Sequence, residues 1–581
     1  MISSAPVIHD TYIRLESSSK SDSLSRDQTQ ILGILTTAFG NKVKEFSVFT
    51  SNPFVIGIFF DHSVDLYEKF IRGPHPKDAE ASSFRDFWKS KSIIRRFKDG
   101  SLLESVQLES DNTIIEIATL ALQLNYSSDI VVSIGMHDLS SLFTVPGQKS
   151  VYPNPNDAFE ELTQQLRMIN TTVKIIHVYP VSPYLRKSSV FQYIPYEGNA
   201  GTYTLCPKAI DIVVKLEASN AWPVELKALV QFKIAIFIEI HRKLKEKRIA
   251  SVPHPEGIDI LFRGFVFRVY AYHLNEYRDF ANQAHGNYVS LIDKSNIIHH
   301  SYINALSSKY SAFSECIRAS IRWVRSKGIS SYKLNQETIE LLVAEVFSSE
   351  NPPFFAYAAF LRFLQLIDNL PHVISLNGTK PRTELLDKLP LVIVAPHCPN
   401  SEYTVNGPSR QVITFLKAAA KQSLEIAIES HFSNTLRLFN RIFTIPTKHW
   451  KFDISIDHHQ RVCPSQRIFC DKPTHSKFDI KSATPPTIDQ MLIGFDPVES
   501  YIHDMTNRFG DVLNFWYDEY SGPKIGISYH DSIMEPKSLK EENLNFAKCT
   551  DSGIVEIDLD SILHQMKVLG SGIVKSIERR L

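Results

Sequence analysis

Two distant segments of the chain repeat one order of sequence patterns, and this repetition restricts the fold more than any other feature. Residues 54–61 form a run of apolar and β-branched side chains, residues 63–72 have helical spacing, and a charged hairpin follows. The same order recurs near the other end of the chain, at residues 491–497, 498–508, 513–518 and 524–529. Each copy predicts a β-α-β-β unit, the core of a ferredoxin-like or RRM-like sandwich.

The segment between these two units changes pattern twice. Strand-like runs at 173–179, 210–216 and 265–272 surround a long amphipathic helix at about 223–247, which indicates an α/β layer. From 301 to 367 the apolar residues follow helical spacing, which indicates an all-α core. A length of 581 residues suggests about four domains, and two copies so far apart favour duplication of a large unit over a solenoid.

A basic and aromatic segment leads into the hairpin of the first unit. Asp99-Gly100 predicts a two-residue type I′ turn between strands at Ile93-Ile94 and Leu102-Leu103. Basic side chains beside aromatic rings can hold phosphates and stack on unpaired bases, so six residues are candidate RNA contacts: Trp88, Lys89, Lys91, Arg95, Arg96 and Lys98. The alternative is that Trp88 and Phe97 belong to the core while the charges form a solvated edge or pair with nearby acids.

A second group of basic residues recurs at helical spacing in the all-α part. Arg318, Arg322 and Arg325 form a stripe opposite the apolar Ile317 and Ile321. Such a stripe is most often a solvated helix face, but RNA or an acidic partner is a further interpretation, because the adjacent Trp323 can brace it.

Bulk composition narrows the classes of function. Lys plus Arg and Asp plus Glu both total 63, so the net charge is +0 and any RNA contact must be a local patch. The 6 cysteines are scattered, which is typical of reduced thiols in an intracellular protein. No apolar run has the length of a membrane span, so we expect no membrane association.

The hairpin and several further motifs together resemble the Nrap family of nucleolar RNA-associated proteins. The matched segments are 84–88, 95–101, 178–183 with Arg186, 216–219 with Trp222-Pro223, 264–268, 312–314, 322–325, 360–364, 407–409 and 494–497. The resemblance runs nearly end to end. It implies two tandem units like the archaeal type of CCA-adding nucleotidyltransferase, with this chain holding the end of the first unit and the whole second unit. It leaves open whether the chain is a fragment lacking its first half.

The resemblance, with the patterns above, predicts an α+β multidomain chain. We expect an RRM-like (ferredoxin-like) body at 1–140, a nucleotidyltransferase-like α/β domain at 141–300, a PAP/OAS-like helical domain at 301–465 and a second RRM-like domain at 466–581. The resemblance also implies a nuclear, nucleolar protein of the small-subunit processome. Its implied partners are pre-ribosomal RNA, an RRM-containing protein and casein kinase II, with no small-molecule substrate.

Nucleotidyl transfer needs two or three carboxylates on adjacent strands to hold two divalent metal ions. One predicted strand of the α/β layer begins near Asp211 and is followed by Glu217. Val213 and Lys215 stand between them, where further metal ligands are needed. The α/β layer therefore predicts no catalytic metal set in this strand.

The remaining acids do not supply the missing ligands. The later strand carries Arg268, comes after Arg263 and has no acid. Asp558 and Asp560 form an Asp-x-Asp pair, but it follows Ser-Gly too closely and lies too near the end of the sequence for a catalytic core, so a solvated strand end is the preferred interpretation. Asp453 and Asp457 are interpreted as surface residues. We predict no catalytic residues and no cofactor.

A loop-like stretch contains five residues that could in principle hold zinc: His458, His459, Cys463, Cys470 and His475. It lacks a CxxC knuckle, so ordinary histidines and thiols are the preferred interpretation and no metal is predicted. The sequence leaves metal binding by this cluster open, together with the oligomeric state.

We therefore expect a non-catalytic scaffold for pre-rRNA processing and small ribosomal subunit biogenesis, built on an inactive nucleotidyltransferase-like fold. One alternative is an active template-independent RNA nucleotidyltransferase like a CCA-adding enzyme. The other is a purely protein-binding scaffold without RNA contact. The sequence does not identify the RNA segment or the partner surface.

Overall fold

A computed structural model describes residues 8–18, 23–51, 53–144, 152–196, 203–217, 222–223, 225–272, 294–463, 465–469, 488, 491–520, 522–530, 547–549 and 555–580. The fold mixes helices and strands throughout, so the coarse prediction of an α+β chain is confirmed. None of the helices in these ranges has the length and apolarity of a membrane span.

The described residues between Thr11 and Ile134 form a β-α-β-β-α-β body, called the N-body below, with an insertion. Its elements are β1 (Thr11–Glu16), α1 (Gln28–Phe39), β2 (Val43–Ser51), β3 (Phe54–Phe60), β4 (Phe70–Arg72), α2 (Glu80–Trp88), β5 (Ser92–Arg96), β6 (Leu102–Gln107), α3 (Thr113–Asn125) and β7 (Val131–Ile134). An antiparallel sheet has the order β2-β3-β1-β7, and the insertion forms a second sheet, β4-β6-β5. Ile13, Ile56 and Ile58 belong to the core of this body, which includes residues of α1 and α3.

The predicted helix at 63–72 is wrong. The Asp61 side chain accepts hydrogen bonds from the backbone N–H and hydroxyl of Ser63, and Asp65 accepts one from the N–H of Tyr67. Aspartates that bond the backbone two residues ahead favour turns over helix, and the helix of this region lies later, at α2. The strand at 54–61 is confirmed, but it is the third strand of the body and not the first.

The hairpin of β5 and β6 is confirmed, but its turn type is wrong. Gly100 has a φ of 87°, whereas Asp99 does not have the positive φ that type I′ demands. The N–H of Gly100 bonds the carbonyl of Phe97, and the N–H of Phe97 bonds the carbonyl of Ser101. This is a three-residue loop in which a type I turn is followed by a glycine bulge.

The α/β layer contains a five-stranded sheet with the order β11-β12-β13-β10-β8, in which β10 and β13 are parallel. Its elements are α4 (Pro155–Arg167), β8 (Ile175–Pro180), β9 (Tyr203–Leu205), β10 (Ile210–Leu216), α5 (Leu226–Glu246), β11 (Ala250–His254), β12 (Gly257–Phe262) and β13 (Phe265–Tyr272). The predicted strands and the long helix are confirmed. The hairpin of β11 and β12 was not predicted.

The next part is mainly helical, as predicted, and is called the helical domain below. It consists of α6 (Lys294–Lys309), α7 (Phe313–Ser326), α8 (Gln336–Phe347), α9 (Ala356–Asp368), β14 (Val373–Ser375), α10 (Thr383–Lys388), β15 (Val392–Val394), α11 (Arg410–Glu429) and α12 (Thr435–Ile442). The Ser409 side chain accepts a hydrogen bond from the N–H of Val412 and so caps α11.

The last part repeats the topology of the N-body and is called the C-body. Its elements are β16 (Phe452–Ile456), β17 (Arg467–Phe469), α13 (Pro497–Phe509), β18 (Leu513–Tyr517), β19 (Lys524–Tyr529), β20 (Ala547–Cys549), β21 (Val555–Ile557), α14 (Leu559–Leu569) and β22 (Val574–Arg579). An antiparallel sheet has the order β18-β19-β16-β22. Strands near 513–518 and 524–529 and the helix near 498–508 are confirmed.

The predicted strand at 491–497 is wrong. Gly494 has a φ of 74°, and the Asp496 side chain caps α13 by accepting hydrogen bonds from the N–H groups of Val498 and Glu499. A positive φ followed by a cap and Pro497 starts a helix and prevents an extended strand. The first strand of the C-body is β16, about forty residues earlier in the sequence.

Each four-stranded sheet packs one face on its own helices and the other against the helical domain. On the N-body sheet, the ring of Tyr12 lies 4.3 Å from that of His431. On the C-body sheet, the ring of Trp516 lies 4.7 Å from that of Phe415, and the Lys333 ammonium bonds the Phe515 carbonyl at 2.6 Å. The helical domain is therefore held between the two sheets.

Candidate functional site

Three charged side chains lie in one row across the central strands of the α/β layer. Arg268 on β13 is opposite Asp259 on β12 and, on its other side, Asp211 on β10. Its guanidinium donates two hydrogen bonds to Asp259, from Nε to Oδ1 at 2.7 Å and from Nη2 to Oδ2 at 2.8 Å. The row thus places a fixed cation between two carboxylates on neighbouring strands.

The pKa values in this row follow from burial and from the arginine. Burial raises the pKa of Asp211 to about 6, and Arg268 opposes that rise. Burial also raises the pKa of Asp259, but the hydrogen bonds and charges of Arg268 and His254 together outweigh it, and the net shift is downward. The same hydrogen bonds raise the pKa of Arg268. Arg268 therefore stays charged between the two carboxylates.

One acid of this row, Asp211, is predicted from the sequence, and the other, Asp259, is not. Glu217 is exposed and follows the end of β10, about 20 Å along the strand from Asp211, so these two do not meet. Val213 is buried beside Asp211. Asp259 was missed because its hairpin was missed, although Pro255-Glu256-Gly257 is a turn signal that could have found it.

Asp211 also lines a cavity of about 220 Å³ where three parts of the chain meet. The α/β layer contributes Lys208, the helical domain contributes Gln336, and Cys463 and Tyr520 close the far side. Among the described residues that line this cavity, Asp211 is the single carboxylate. Nucleotidyl transfer commonly uses two or three carboxylates to hold its two metal ions.

A buried ionic network fastens the α/β layer to the helical domain. Arg186 Nε lies 3.1 Å from a carboxylate oxygen of Glu340, and His299 Nε2 lies 2.7 Å from the other. Burial alone raises the pKa of Glu340, but Arg186 and His299 lower it below its usual value. Glu340 therefore stays ionised, and the pair fixes the loop after β8 against α8.

Half of the candidate residues of the hairpin are engaged within the protein. Trp88 is 2% exposed in the core, so it cannot stack on a base. The Lys89 ammonium donates to the Leu124 carbonyl. Arg95 donates to Gln107 Oε1 at 2.7 Å, and its guanidinium lies 4.4 Å above the Phe70 ring.

Three cations of the hairpin stay open to a ligand. Lys91, Arg96 and Lys98 are exposed, and within the described part of the chain none of them forms an ion pair or hydrogen bond through its side chain. The expectation of a core tryptophan beside a charged edge therefore describes this hairpin better than a stacking platform.

The predicted solvated stripe of arginines is wrong, because these residues connect domains. Arg318 donates to the Val190 carbonyl at 3.0 Å, and burial lowers its pKa to about 10. Arg322 pairs with Asp518 at 3.1 Å. Arg325 is 2% exposed and donates to the carbonyls of two residues of the following loop. The stripe faces the α/β layer and the C-body, so RNA does not reach it.

The other acids have structural positions. Asp453 is buried, not a surface residue as interpreted, and pairs with Arg580 at 2.9 Å. Asp457 lies just after β16 and 3.7 Å from the Lys575 ammonium. Asp558 follows β21 and caps α14 by accepting from the N–H of Ser561.

The histidine and cysteine stretch is described in part. Cys470 and His475 lie outside the described residues. His459 lies in a short helical turn, and Cys463 lines the cavity beside Asp211. Within the described residues, no group of three or more His, Cys, Asp or Glu side chains is placed to hold a metal ion.

Four family models match the chain in succession. They are Nrap protein domain 3 over 12–127, Nrap protein nucleotidyltransferase domain 4 over 136–297, Nrap protein PAP/OAS1-like domain 5 over 310–373 and Nrap protein domain 6 over 450–577. The chain belongs to the Nrap family. The matches also support the nucleotidyltransferase-like and PAP-like character of the two middle parts.

Curated relatives agree with this membership. Nucleolar protein 6 of Xenopus laevis is 24% identical over 90% of this chain and 51% of its own length, and the human protein is 26% identical over 87% and 50%. The chain spans about half the length of the curated relatives it matches. It is a nuclear, nucleolar protein on the evidence of these relatives.

Solved structures give a weaker likeness. A crystal structure of mtPAP in complex with GTP is 10% identical, with a TM-score of 0.31, over 66% of this chain and 97% of that one. A TM-score this low does not establish a shared overall fold.

Proposed function

We propose that this Nrap chain is a non-catalytic scaffold in pre-rRNA processing and small ribosomal subunit biogenesis. It acts in the small-subunit processome of the nucleolus, in contact with pre-ribosomal RNA, an RRM-containing protein and casein kinase II. Membership of the Nrap family and the nucleolar relatives support the setting of this proposal. The whole relatives are about twice as long, so the proposal concerns the part of the assembly that this chain contributes.

The observation that carries the non-catalytic part is the row of Asp259, Arg268 and Asp211. A guanidinium bound to one carboxylate and facing the other competes with any divalent ion for the same oxygens. The described cavity beside the row offers one carboxylate. The layer then contributes shape and fixed surfaces and no phosphoryl chemistry.

The strand orders of the N-body and C-body support the proposal of two RRM-like bodies, since both match the β-α-β-β-α-β arrangement. Their sheet faces are covered by the helical domain, through Tyr12 on one side and Trp516 on the other. RNA contact therefore has to use other surfaces. Among the sequence-proposed contacts, Lys91, Arg96 and Lys98 stay candidates.

Replacement of the natural protein in cells tests the scaffold. Depletion is expected to cause unprocessed pre-rRNA to accumulate, and Asp211→Asn is expected to restore processing fully, because the proposal gives that carboxylate no catalytic task. Northern blots of pre-rRNA, with immunoblots to confirm equal protein, measure both. Failure of Asp211→Asn at a normal protein level would overturn the proposal.

An active RNA nucleotidyltransferase is the second candidate. The presence of Asp211 at a cavity, in a domain of the nucleotidyltransferase type, is the observation that favours it. If the chain is such an enzyme, the Asp211→Asn variant is expected not to restore pre-rRNA processing.

A purely protein-binding scaffold is the third candidate. It is favoured by the arginines of α7, which bind other parts of the same chain. Ultraviolet crosslinking in cells, followed by sequencing of the attached RNA, distinguishes it: no specific pre-rRNA reads would support this candidate against the RNA-contacting scaffold.

A further inference from the structure

The strand β5 has one partner in its sheet, and its other edge is open. The order β4-β6-β5 places it at the margin of the described part of the inserted sheet. Outer strands present unpaired N–H and C=O groups that can pair with another chain. The direction of each group along β5 is set by the hydrogen bonds of β6.

The main-chain groups of Ile94 point to the open side. Ile94 is opposite Glu104 on β6. Glu104 bonds in the other direction, because its N–H donates to the Pro74 carbonyl and its carbonyl accepts from the N–H of Gly73. Ile94 and Glu104 are therefore a non-hydrogen-bonded pair, and by the alternation of an antiparallel ladder Ser92 and Arg96 also direct their N–H and C=O outward.

Aliphatic side chains surround this open edge. Ile93 is 44% exposed, Ile94 is 56% exposed and Leu102 is 42% exposed. Outer strands of natural sheets are usually protected by charges, proline or bulges. The charges on β5 and just before it are basic: Lys91, Arg95 and Arg96. Lys98 follows in the turn, where the exposed Asp99 pairs with Arg72 at 3.3 Å. The basic charges along the strand repel a second copy of it and attract an acidic segment.

We propose that the open edge of β5 binds an extended acidic segment of a partner protein, which adds to the inserted sheet as a further strand. Main-chain hydrogen bonds form with Ser92, Ile94 and Arg96. Residues opposite Ile94 and Arg96 lie on the same face of the added strand and so are two positions apart. The partner segment therefore carries an aliphatic residue and, two positions from it, an Asp or Glu.

The same features fit RNA less well. Base stacking needs an open aromatic face, whereas Trp88 is buried and the Phe97 ring is covered by the Arg72 guanidinium at 4.4 Å. Phosphates would use the cations but not Ile93 or Ile94. These cations are also the candidate RNA contacts named above, so RNA bound here in place of a peptide would overturn the strand-addition proposal and leave the RNA-contacting scaffold standing.

Fluorescence anisotropy with the full chain tests the proposal. The probe is a labelled octapeptide with the sequence Thr-Val-Thr-Glu repeated twice. In this sequence each valine and the next glutamate are two positions apart and so lie on one face of an extended strand. The matched control has the same sequence with N-methyl groups on alternate amides, which removes main-chain donors and keeps the charge. Saturable binding of the first peptide and at least about tenfold weaker binding of the second are expected. Equal binding of both, or preference for a labelled octauridylate over the peptide, would overturn the proposal.

Two variants locate the bound strand on β5. Ile94→Pro removes an outward N–H without breaking the bonds to β6, and a loss of about tenfold in peptide affinity is expected, with Ile94→Val as its control. Arg96→Glu is expected to lower the affinity of the chain for the glutamate peptide. The same variant is expected to bind a peptide with lysine in place of glutamate more tightly than the unaltered chain does. Because this exchange gives a gain of binding, it separates recognition from misfolding. Absence of the reversal would contradict the assigned register.

These results are separable from those of the scaffold proposal. Failure of the unaltered chain to bind the acidic peptide would refute the strand-addition proposal and leave the expected rescue of pre-rRNA processing by Asp211→Asn unaffected. Failure of that rescue would refute the scaffold proposal and leave peptide binding unaffected.

Discussion

The N-body and the C-body share one framework, down to the position of a glycine. Gly57 on β3 is opposite Tyr12, and Gly526 on β19 is opposite Asp453, the second residue of the first strand in both bodies. A Cβ added at Gly57 would overlap the ring of His9, and one added at Gly526 would overlap the ring of Trp450. Each of these rings belongs to the residue two positions before the first strand of its body.

The two bodies differ in the segment after their third strand. In the N-body this segment holds α2 and three strands, β4, β5 and β6, which form a sheet of their own whose outer strand is exposed. In the C-body the described part of the corresponding insertion is the two-stranded pair of β20 and β21. The shared framework therefore docks within the chain, whereas the insertion that differs exposes the edge proposed above to bind a partner.

The largest expected effect comes from removing the ring at the C-body interface. Trp516→Ala deletes the contact with Phe415 and the indole bond to Ser528, so a loss of about 3–5 kcal/mol in the free energy of unfolding is expected. Urea titration measures it. Trp516→Phe keeps the ring contact and is expected to cost less. A cost below about 1 kcal/mol for the alanine variant would show that this sheet face is not docked.

The paired glycines test whether the two bodies use the same device. Gly57→Ala and Gly526→Ala each force a ring away, and a cost of about 1–3 kcal/mol is expected for each. Thermal unfolding midpoints give the comparison. Gly33→Ala in α1 is the control, because nothing lies within 4 Å of its added Cβ, and a gain of about 0.5–1 kcal/mol is expected there. If Gly→Ala left the free energy of unfolding unchanged in one body and lowered it in the other, the two glycines would not have the same role.

The interfaces also predict a pH dependence. Burial, aided by the neighbouring His137, lowers the pKa of His431 to about 4 in the folded state from 6.5, so the unfolded chain binds more protons between these values. Stability contributed by neutral His431 is present above pH 6.5 and is lost as the pH falls toward 4, by about 1 kcal/mol between pH 7 and 5.5. His431→Phe is expected to flatten this part of the urea-stability profile. An unchanged slope would refute the assignment to His431.

The smallest effect is expected at the hairpin. Lys91, Arg96 and Lys98 are exposed and, in the described ranges, unpaired, so reversing all three to glutamate is expected to change unfolding free energy by less than about 0.5 kcal/mol per site. Thermal melts provide the readout, with Arg322→Glu as a contrasting variant because its pair with Asp518 is mostly buried. A large loss from the hairpin variants would mean that the insertion is part of the framework.

Periodicity in the sequence predicted most elements but not their roles. The prediction of a strand at 54–61 was confirmed. Its place as the third strand depends on its pairing with β1 and β2, and β1 lies about forty residues earlier in the sequence. The duplication was recognised, although the wrong segment was taken as the first strand of the C-body. Short polar contacts, such as those of Asp61 with Ser63, changed a helical pattern into turns.

The candidate site was harder to predict for a different reason. The row of Asp211, Arg268 and Asp259 joins three strands, so it exists only through sheet register. The arginines of α7 follow a surface-like spacing, but the layer and the C-body cover them from both sides. Neither the register nor the domain packing is visible in local composition.

The most direct test of the central account is nucleotide incorporation by the full chain. Labelled CTP and ATP, with magnesium or manganese, are supplied together with tRNA that lacks its terminal CCA. Because Arg268 stands between the carboxylates, the account predicts no incorporation above a protein-free control. Incorporation that is robust and is lost in Asp211→Asn would contradict it.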